Sequence, residues 1–505
     1  MNFLIPILYT VIFSWIVFKS DFFSKSGIPS WLRIFVFYFK IITGIFVIYV
    51  YTNHYGNVKT ADVLLYYSDG KIISESFYSK PLDFFKLISG WGCDTEYFHA
   101  NYFSKMDRWQ RHHDSFFYND CHTIIRFDAL VQILSFGAFH AGTVIICFIS
   151  FSGLTAIYRS MERFLTGKKY LLFGIVFFSP ALLFWGSSLF KEGLLIFGIG
   201  FLVFAIFEFK YQTSFKWSLL FYFLMGLSMC IAVKIYVLLL LIPPVLSYLI
   251  IDRFKIPFKS ISMLLFNSIF IFSGLFFLNI FFQRNPVKEV IRHQHDFINI
   301  ARGGVYLYRD STAVRLAYND KNRLINTQKK DTVKIMKGST YETWNNNTLS
   351  DTLIINNSTD TSLFWNQASI EPARSAYFMP HLKYSFSSFA YYLPNALFNV
   401  LLRPFIWEAE NLYQKICSIE NIIYLLFFAL CIFLADFSKL NTSLFWVGLI
   451  FSLNLFLLIG FTTPVAGALV RYKMPAVPFF LFSALFLLDV EKAKKYRVIK
   501  WFFQD

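Results

Sequence analysis

The sequence predicts an all-α fold, a polytopic transmembrane helical bundle of about 11 spans with two long extracytoplasmic loops. Three observations predict it. Hydrophobic residues make up 56% of the 505, with 65 Phe and only 15% charged residues, which is more apolar side chain than one water-soluble core can hide. The apolar residues fall into runs of membrane-spanning length. The polar residues gather in two segments, roughly 53–128 and 283–420.

Crossing about 30 Å of hydrocarbon takes roughly 20 apolar residues as a helix, fewer where neighbouring helices or local thinning help. Such runs lie near 3–18, 34–52, 129–150, 170–188, 193–208, 217–233, 235–251, 261–282, 421–436, 443–461 and 474–490. The stretch 170–208 has to turn, because at 1.5 Å per residue a single helix there would be about 58 Å long. Gly186-Ser187-Ser188, followed by Lys191 and Glu192, is the natural place. The same reasoning splits 217–251 near Lys234. Only Met1 and Asn2 precede the first run, with neither a basic leader nor a small-residue cleavage site, so that run is expected to be a retained span. The stretch 386–403, FSSFAYYLPNALFNVLLR, is also apolar, yet Pro394 and Asn395 interrupt it and a crossing there would reverse the basic tail. It is read as a surface or re-entrant helix. Between 310 and 360, β-branched and polar residues alternate around Asn, Asp and Gly, a pattern for a few short strands or an unordered excursion.

Five regions result: an N-terminal transmembrane hairpin (1–52), a first outer loop (53–128), transmembrane helices (129–282), a second outer segment (283–420), and C-terminal spans with a basic cytoplasmic tail (421–505). Lys and Arg in short loops mark the cytoplasmic side. Lys19, Lys25 and Arg33, then Arg159, Arg163, Lys168 and Lys169, then Lys210 and Lys216, then Arg253, Lys255 and Lys259 share one side with the tail EKAKKYRVIK. Both long loops, Lys191-Glu192, Lys234 and Arg471-Tyr472-Lys473 then share the opposite, outer face. The net charge of +16 thus serves orientation and anionic headgroups, and no nucleic-acid-binding signature accompanies it. The six Cys show no metal-type spacing; Cys93 and Cys121 share the outer loop, where a disulfide is open to them.

The outer loop carries Asp62, Asp69, Asp94, Glu96, Asp107, Asp114 and Asp120. Any one such acid normally just solvates its loop, but a carboxylate beside the bilayer is also what removes a proton from an incoming hydroxyl in group transfer. Asp62 is the leading candidate because it follows a span closely, and Asp69 is next. HHDSFFYNDCHTIIRF (112–127) groups His112, His113, Asp114, Asp120 and His122, donors that suit a divalent metal, although a polar anchor with Asn119 or Asp120 as N-cap explains them too. Arg126 suits a lipid phosphate, or snorkels to the interface. Lys191 and Glu192 between two apolar runs stand out because intramembrane charge is expensive unless paired or functional. Lys234, and Arg403 with Glu408 and Glu410, raise the same question. Arg471 and Lys473 are placed to hold a phosphate, Arg through two parallel hydrogen bonds and Lys as a point charge, or to anchor to headgroups.

The layout resembles the GT-C class of membrane glycosyltransferases and bacterial surface-polysaccharide polymerases of related architecture. The acid-bearing outer loop after an early hairpin, the segment FFSPALLFWGSSLFKEGLL and the closing RYKMPAVPFF carry the likeness. The resemblance implies transfer of a sugar from a polyprenyl-phosphate or pyrophosphate donor to a glycan or lipid acceptor at the outer face of a bacterial inner membrane. Asp62 or Asp69 would be the base, and Arg471 and Lys473 would contact lipid phosphate. An adjacent Asp-Asp or D-x-D pair, common in the class, is absent; Asp94-Thr95-Glu96 comes nearest. A polymerase joining lipid-linked repeats is the alternative, ahead of a transporter or flippase, against which the lack of an internal repeat argues, and ahead of an export scaffold.

Overall fold

The computed structural model describes residues 4–53, 62–109, 119–212, 214–283, 285–303 and 372–496, with the backbone of seven strands between 305 and 369. Eight helices among these residues are long and apolar enough to cross a membrane, and two shorter apolar helices accompany them. The chain is an integral, multi-pass membrane protein.

The N-terminal hairpin is α1 (Leu4–Lys19) and α2 (Ser30–Asn53). Beyond it α3 (Asp62–Ser79) and α4 (Asp120–Leu134) pack side by side, with two short helices, Pro81–Ser89 and Glu96–Asn101, between them in sequence. The expected span 129–150 is divided: α4 stops at Leu134, and α5 (Phe139–Glu162) begins a new helix. Phe136 and Gly137 both take positive φ, 51° and 75°, a left-handed pair that a continuous helix cannot contain. Ahead of the turn α4 packs on α3, with Gln132 donating to the Tyr67 carbonyl at 2.8 Å.

The expected breaks at 186–190 and Lys234 are present. α6 (Lys169–Phe178) and α7 (Pro180–Trp185) lead to α8 (Lys191–Tyr211). Next comes α9 (Trp217–Arg253), interrupted at Lys234 by non-helical angles, φ −149° and ψ 82°. α9 is a hairpin rather than a rod of about 55 Å. Its first arm lies on α8, where a Cβ on Gly198 would be 3.0 Å from Cys230 Sγ. Its second arm returns to the far end of α8, with Tyr211 and Tyr248 hydroxyls 3.0 Å apart and Lys210 2.8 Å from Asp252. On its other side α8 meets α5 so closely that a Cβ on Gly200 would stand 2.2 Å from the Gly153 carbonyl oxygen.

The remaining helices are α10 (Lys259–Phe282), α11 (Pro286–Ala301), α12 (Phe386–Leu402), α13 (Leu412–Phe433), α14 (Ser443–Thr462), α15 (Ala466–Lys473) and α16 (Val477–Leu487). Asn421, more than two turns inside α13, donates to the carbonyls of Leu402 and Arg403 at 3.3 and 2.8 Å. The end of α12 therefore packs beside α13, and the chain turns back through 404–411. Between α11 and α12 lie β1 (Val305–Arg309), β2 (Thr312–Leu316), β3 (Leu324–Asn326), β4 (Thr332–Ile335), β5 (Thr340–Asn345), β6 (Thr348–Ile354) and β7 (Phe364–Ser369). They pair antiparallel in the order β3-β4-β7-β1-β2-β5-β6.

The basic short loops meet at one end of the bundle. Lys25, Arg159, Arg163 and Lys169 line a cavity of about 490 Å³ there, Arg163 pairs with Glu208, and buried Lys168 donates to the carbonyls of Leu485 and Leu488 at 2.8 and 2.5 Å. α8 starts at Lys191 and ends at this basic end, so Lys191 and Glu192 lie about 30 Å away, one hydrocarbon thickness.

Candidate functional site: an ion network at converging helix ends

Three helices begin at the end of the bundle opposite the basic loops, and each has an acid in its first turn: Asp62 in α3, Asp120 in α4 and Glu192 in α8. Unsatisfied N–H groups and the helix dipole favour negative charge there. The apex of the α9 hairpin brings Lys234, and the last turn of α15 brings Arg471. Arg471 Nε and Nη2 donate to the two oxygens of Glu192 at 2.8 and 3.0 Å, and Nη1 donates to Asp62 at 3.1 Å. Lys234 Nζ donates to Glu192 at 3.0 Å. Arg108 reaches the other Asp62 oxygen at 3.2 Å, and Lys191 pairs with Asp120 at 2.8 Å. The network thus ties residues more than 400 positions apart into one cluster.

Aromatic rings wall it. The Arg471 guanidinium lies 5.1 Å from the Trp185 ring and 5.0 Å from that of Phe190, Lys234 sits 4.5 Å over Tyr472, and Lys191 5.6 Å over Tyr66. Low local dielectric strengthens such contacts and makes an unpaired charge costly. The cluster has a dry end and a wet end: the Glu192 side chain is 0% exposed, whereas Asp62 and Arg108 are 30% and 36% exposed. Four cations (Arg108, Lys191, Lys234, Arg471) meet the three carboxylates in these pairs.

Of the residues singled out from the sequence, Asp62, Asp120, Lys191, Glu192, Lys234 and Arg471 come together here, and Asp69, Arg126, Arg403 and Lys473 do not join them. Asp69 is 1% exposed and its two oxygens accept the backbone N–H groups of Asp107 and Arg108 at 2.9 and 2.7 Å. Burial holds its carboxyl above the ordinary range, opposed by those two hydrogen bonds. It is a latch that sets Arg108 beside Asp62. Arg126 donates to the Leu87 carbonyl at 2.8 Å and lies 5.2 Å over Trp109. Lys473 faces the other way, donating to Val400 O and Asn421 Oδ1 at 2.7 and 2.6 Å, and so ties the end of α12 to α13. Arg403 pairs with Glu408 at 3.3 Å and stacks 4.2 Å over Tyr377.

His112, His113 and Asp114 lie outside the described residues. Among the described ones no group of three His, Cys, Asp or Glu is placed to hold a metal. His122 stacks on Trp109 at 3.9 Å with Nε2 2.8 Å from the Trp109 carbonyl oxygen, and Asn119 caps α4 by accepting from Cys121 N at 3.1 Å. No disulfide joins Cys93 and Cys121; the Cys121 sulfur lies 3.5 Å from Tyr66 Oη and 3.7 Å from Lys191 Nζ.

Sequence reasoning missed Arg108, which nothing local distinguishes from any loop arginine. It also missed Glu420, which accepts from Ala181 N at 2.8 Å and receives Tyr424 Oη. A polar pair, Glu420-Asn421, directly before an apolar run was the available signal. Fold and site together define a polytopic helical membrane protein with a buried, charge-rich cluster at one membrane interface. Comparison with protein-family models, with curated proteins and with solved structures finds no match.

Proposed function

We propose that this protein is a membrane glycosyltransferase that moves a sugar from a polyprenyl-phosphate or polyprenyl-pyrophosphate donor to a glycan or lipid acceptor at the extracytoplasmic face of a bacterial inner membrane. The observation that supports it is Asp62 at the rim of the network, one oxygen on Arg471 and the other on Arg108, with the cations behind it. In this reading the donor phosphate takes the donors of Arg108 and the Nη1 edge of Arg471, which releases Asp62. The acceptor hydroxyl gives its proton to Asp62 while its oxygen bonds to the anomeric carbon. The bond from that carbon to the phosphate oxygen breaks, and the phosphate leaves with the electron pair, its charge met by the two guanidiniums. Glu192 and Lys234 hold Arg471 in place and touch no substrate.

The test is single-turnover transfer from a synthetic polyprenyl-phosphate sugar by purified protein in nanodiscs. Asp62→Asn is expected to slow transfer by about 10² to 10⁴, the usual contribution of a positioned proton acceptor, with membrane abundance unchanged. Absence of both donor binding and transfer by the wild type across a panel of polyprenyl-linked sugars would sink the proposal.

A further inference from the structure

The cavity of about 490 Å³ at the basic end of the bundle has eight lining residues, of which four are cations, Lys25, Arg159, Arg163 and Lys169, and one, Glu162, is an acid. Three separate stretches bring them together: the turn between α1 and α2, the end of α5 and the start of α6. Arg159 and Arg163 are four residues apart, so they stand on one face of the same helix end. Gly167, at φ 72°, lets the chain reverse between α5 and α6. The Tyr158 hydroxyl donates to the Lys169 carbonyl at 3.5 Å, which holds the start of α6 beside α5.

Lysines and arginines that merely reach for headgroups extend away from the protein. Here the basic side chains border a shared hollow instead, and two of them are fixed in place. Arg159 Nη1 donates to the Phe22 carbonyl at 3.0 Å, and its guanidinium lies 5.2 and 4.6 Å from the Phe22 and Phe204 rings. Arg163 pairs with Glu208 and lies 5.4 Å from the Tyr211 ring. Among the described residues the ion pairs of the lining cations are that one and the exposed Lys25–Asp21 pair. Arg159 and Lys169 therefore have no carboxylate at contact distance, and Glu162 offsets only part of the positive potential of four cations. A fixed guanidinium and an ammonium on the wall of one cavity suit the oxygens of a phosphate, the first through parallel hydrogen bonds and the second as a point charge.

We infer that this cavity binds a phosphate ester, with Arg159 and Lys169 holding its oxygens and Lys25 and Arg163 adding positive potential. The volume lies within the range of small-ligand sites, about 300–1,000 Å³, so the phosphate can carry an alcohol of glycerol size. The walls are helix ends, which puts the site at the level of lipid headgroups. An anionic glycerophospholipid and a soluble phosphomonoester offer the same chemistry there, and the experiment separates the two sources. An occupied site ties the turn between α1 and α2 to α5 and α6. The inference stands apart from the glycosyltransferase proposal, since it shares no residue with the ion network at the other end of the bundle and is read without any transfer.

The experiment is thermal unfolding of the purified full chain in dodecyl maltoside, a detergent without phosphate, at matched ionic strength. One arm titrates glycerol 3-phosphate, the other phosphatidylglycerol in the micelle. The wild-type midpoint is expected to rise saturably, as a ligand bound by the folded state requires; a rise with glycerol 3-phosphate assigns the site to a soluble ester, and a rise with phosphatidylglycerol alone assigns it to a lipid headgroup. Arg159→Gln and Lys169→Gln are each expected to raise the half-saturating concentration about tenfold or more, the loss of one charge-assisted hydrogen bond. Lys169 is exposed, so Lys169→Gln decides the matter if Arg159→Gln does not fold. Lys216→Gln, an exposed position in another basic loop outside the cavity, is expected to bind as the wild type does. A midpoint that neither probe raises, an unchanged half-saturation in Lys169→Gln, or a loss in Lys216→Gln as large as in Lys169→Gln would each overturn the inference.

Discussion

Glu192→Gln removes one negative charge at nearly constant volume from the dry end of the network. The wild-type carboxylate accepts from Arg471 twice, at 2.8 and 3.0 Å, and from Lys234 at 3.0 Å. The Lys234 and Arg471 side chains are 5% and 13% exposed, so water cannot take over the role of Glu192. Breaking a buried pair by removing one partner destabilises by about 3–5 kcal/mol, because the other charge stays buried and uncompensated. Here two cations are left with only the rim acid Asp62, which places the expected loss at the upper part of that range. Adding Lys234→Met to Glu192→Gln removes one stranded charge and should recover about 0.5–3 kcal/mol, the usual coupling between contacting residues. The assay is reversible unfolding by SDS in mixed micelles, followed by tryptophan fluorescence, on wild type, both single variants and the double variant. A Glu192→Gln protein within about 0.5 kcal/mol of wild type, the range of an ordinary surface change, would refute the account of a dry, mutually dependent cluster.

Three further expectations come from other parts of the bundle. Gly200→Ala forces a Cβ to within 2.2 Å of the Gly153 carbonyl oxygen, a backbone atom that cannot swing aside; overpacking of this kind should lower stability by about 1–3 kcal/mol in the same unfolding assay. Lys168→Met removes the ammonium that donates to Leu485 O and Leu488 O at the end of α16; about 1.5–3 kcal/mol should be lost for a charged hydrogen bond, with hydrogen exchange rising at 485–490 before it rises in α8. Reporter fusions after Asp505 and near Thr348 are expected to lie on opposite sides of the membrane, from the Lys and Arg distribution in the short loops; the same side for both would mean that 386–403 crosses.

The sequence by itself determined the membrane-spanning class, the gathering of short basic loops at one end, and the breaks at 186–190 and Lys234. Each of these depends on a property that adds up along the chain: apolar length against bilayer thickness, and the expense of a charge inside a run. It also placed Asp62, Lys191, Glu192 and Arg471 at one membrane face, because counting spans assigns every residue to a side. Only the tertiary structure decided which of them touch. Arg471 and Lys473 are two residues apart, yet one points to Glu192 and Asp62 while the other holds Val400 and Asn421, and which way each points is set by helix rotation against distant neighbours. The same holds for Asp69, whose role as a latch needs the backbone of 107–108 folded back over it. The division of 129–150 turns on the left-handed pair Phe136-Gly137 and on the packing of α4 against α3, a contact between segments about 60 residues apart. Hydropathy registers how apolar a residue is; hydrogen bonds and ion pairs depend on direction and distance to groups far along the chain, and those are fixed only when the helices pack.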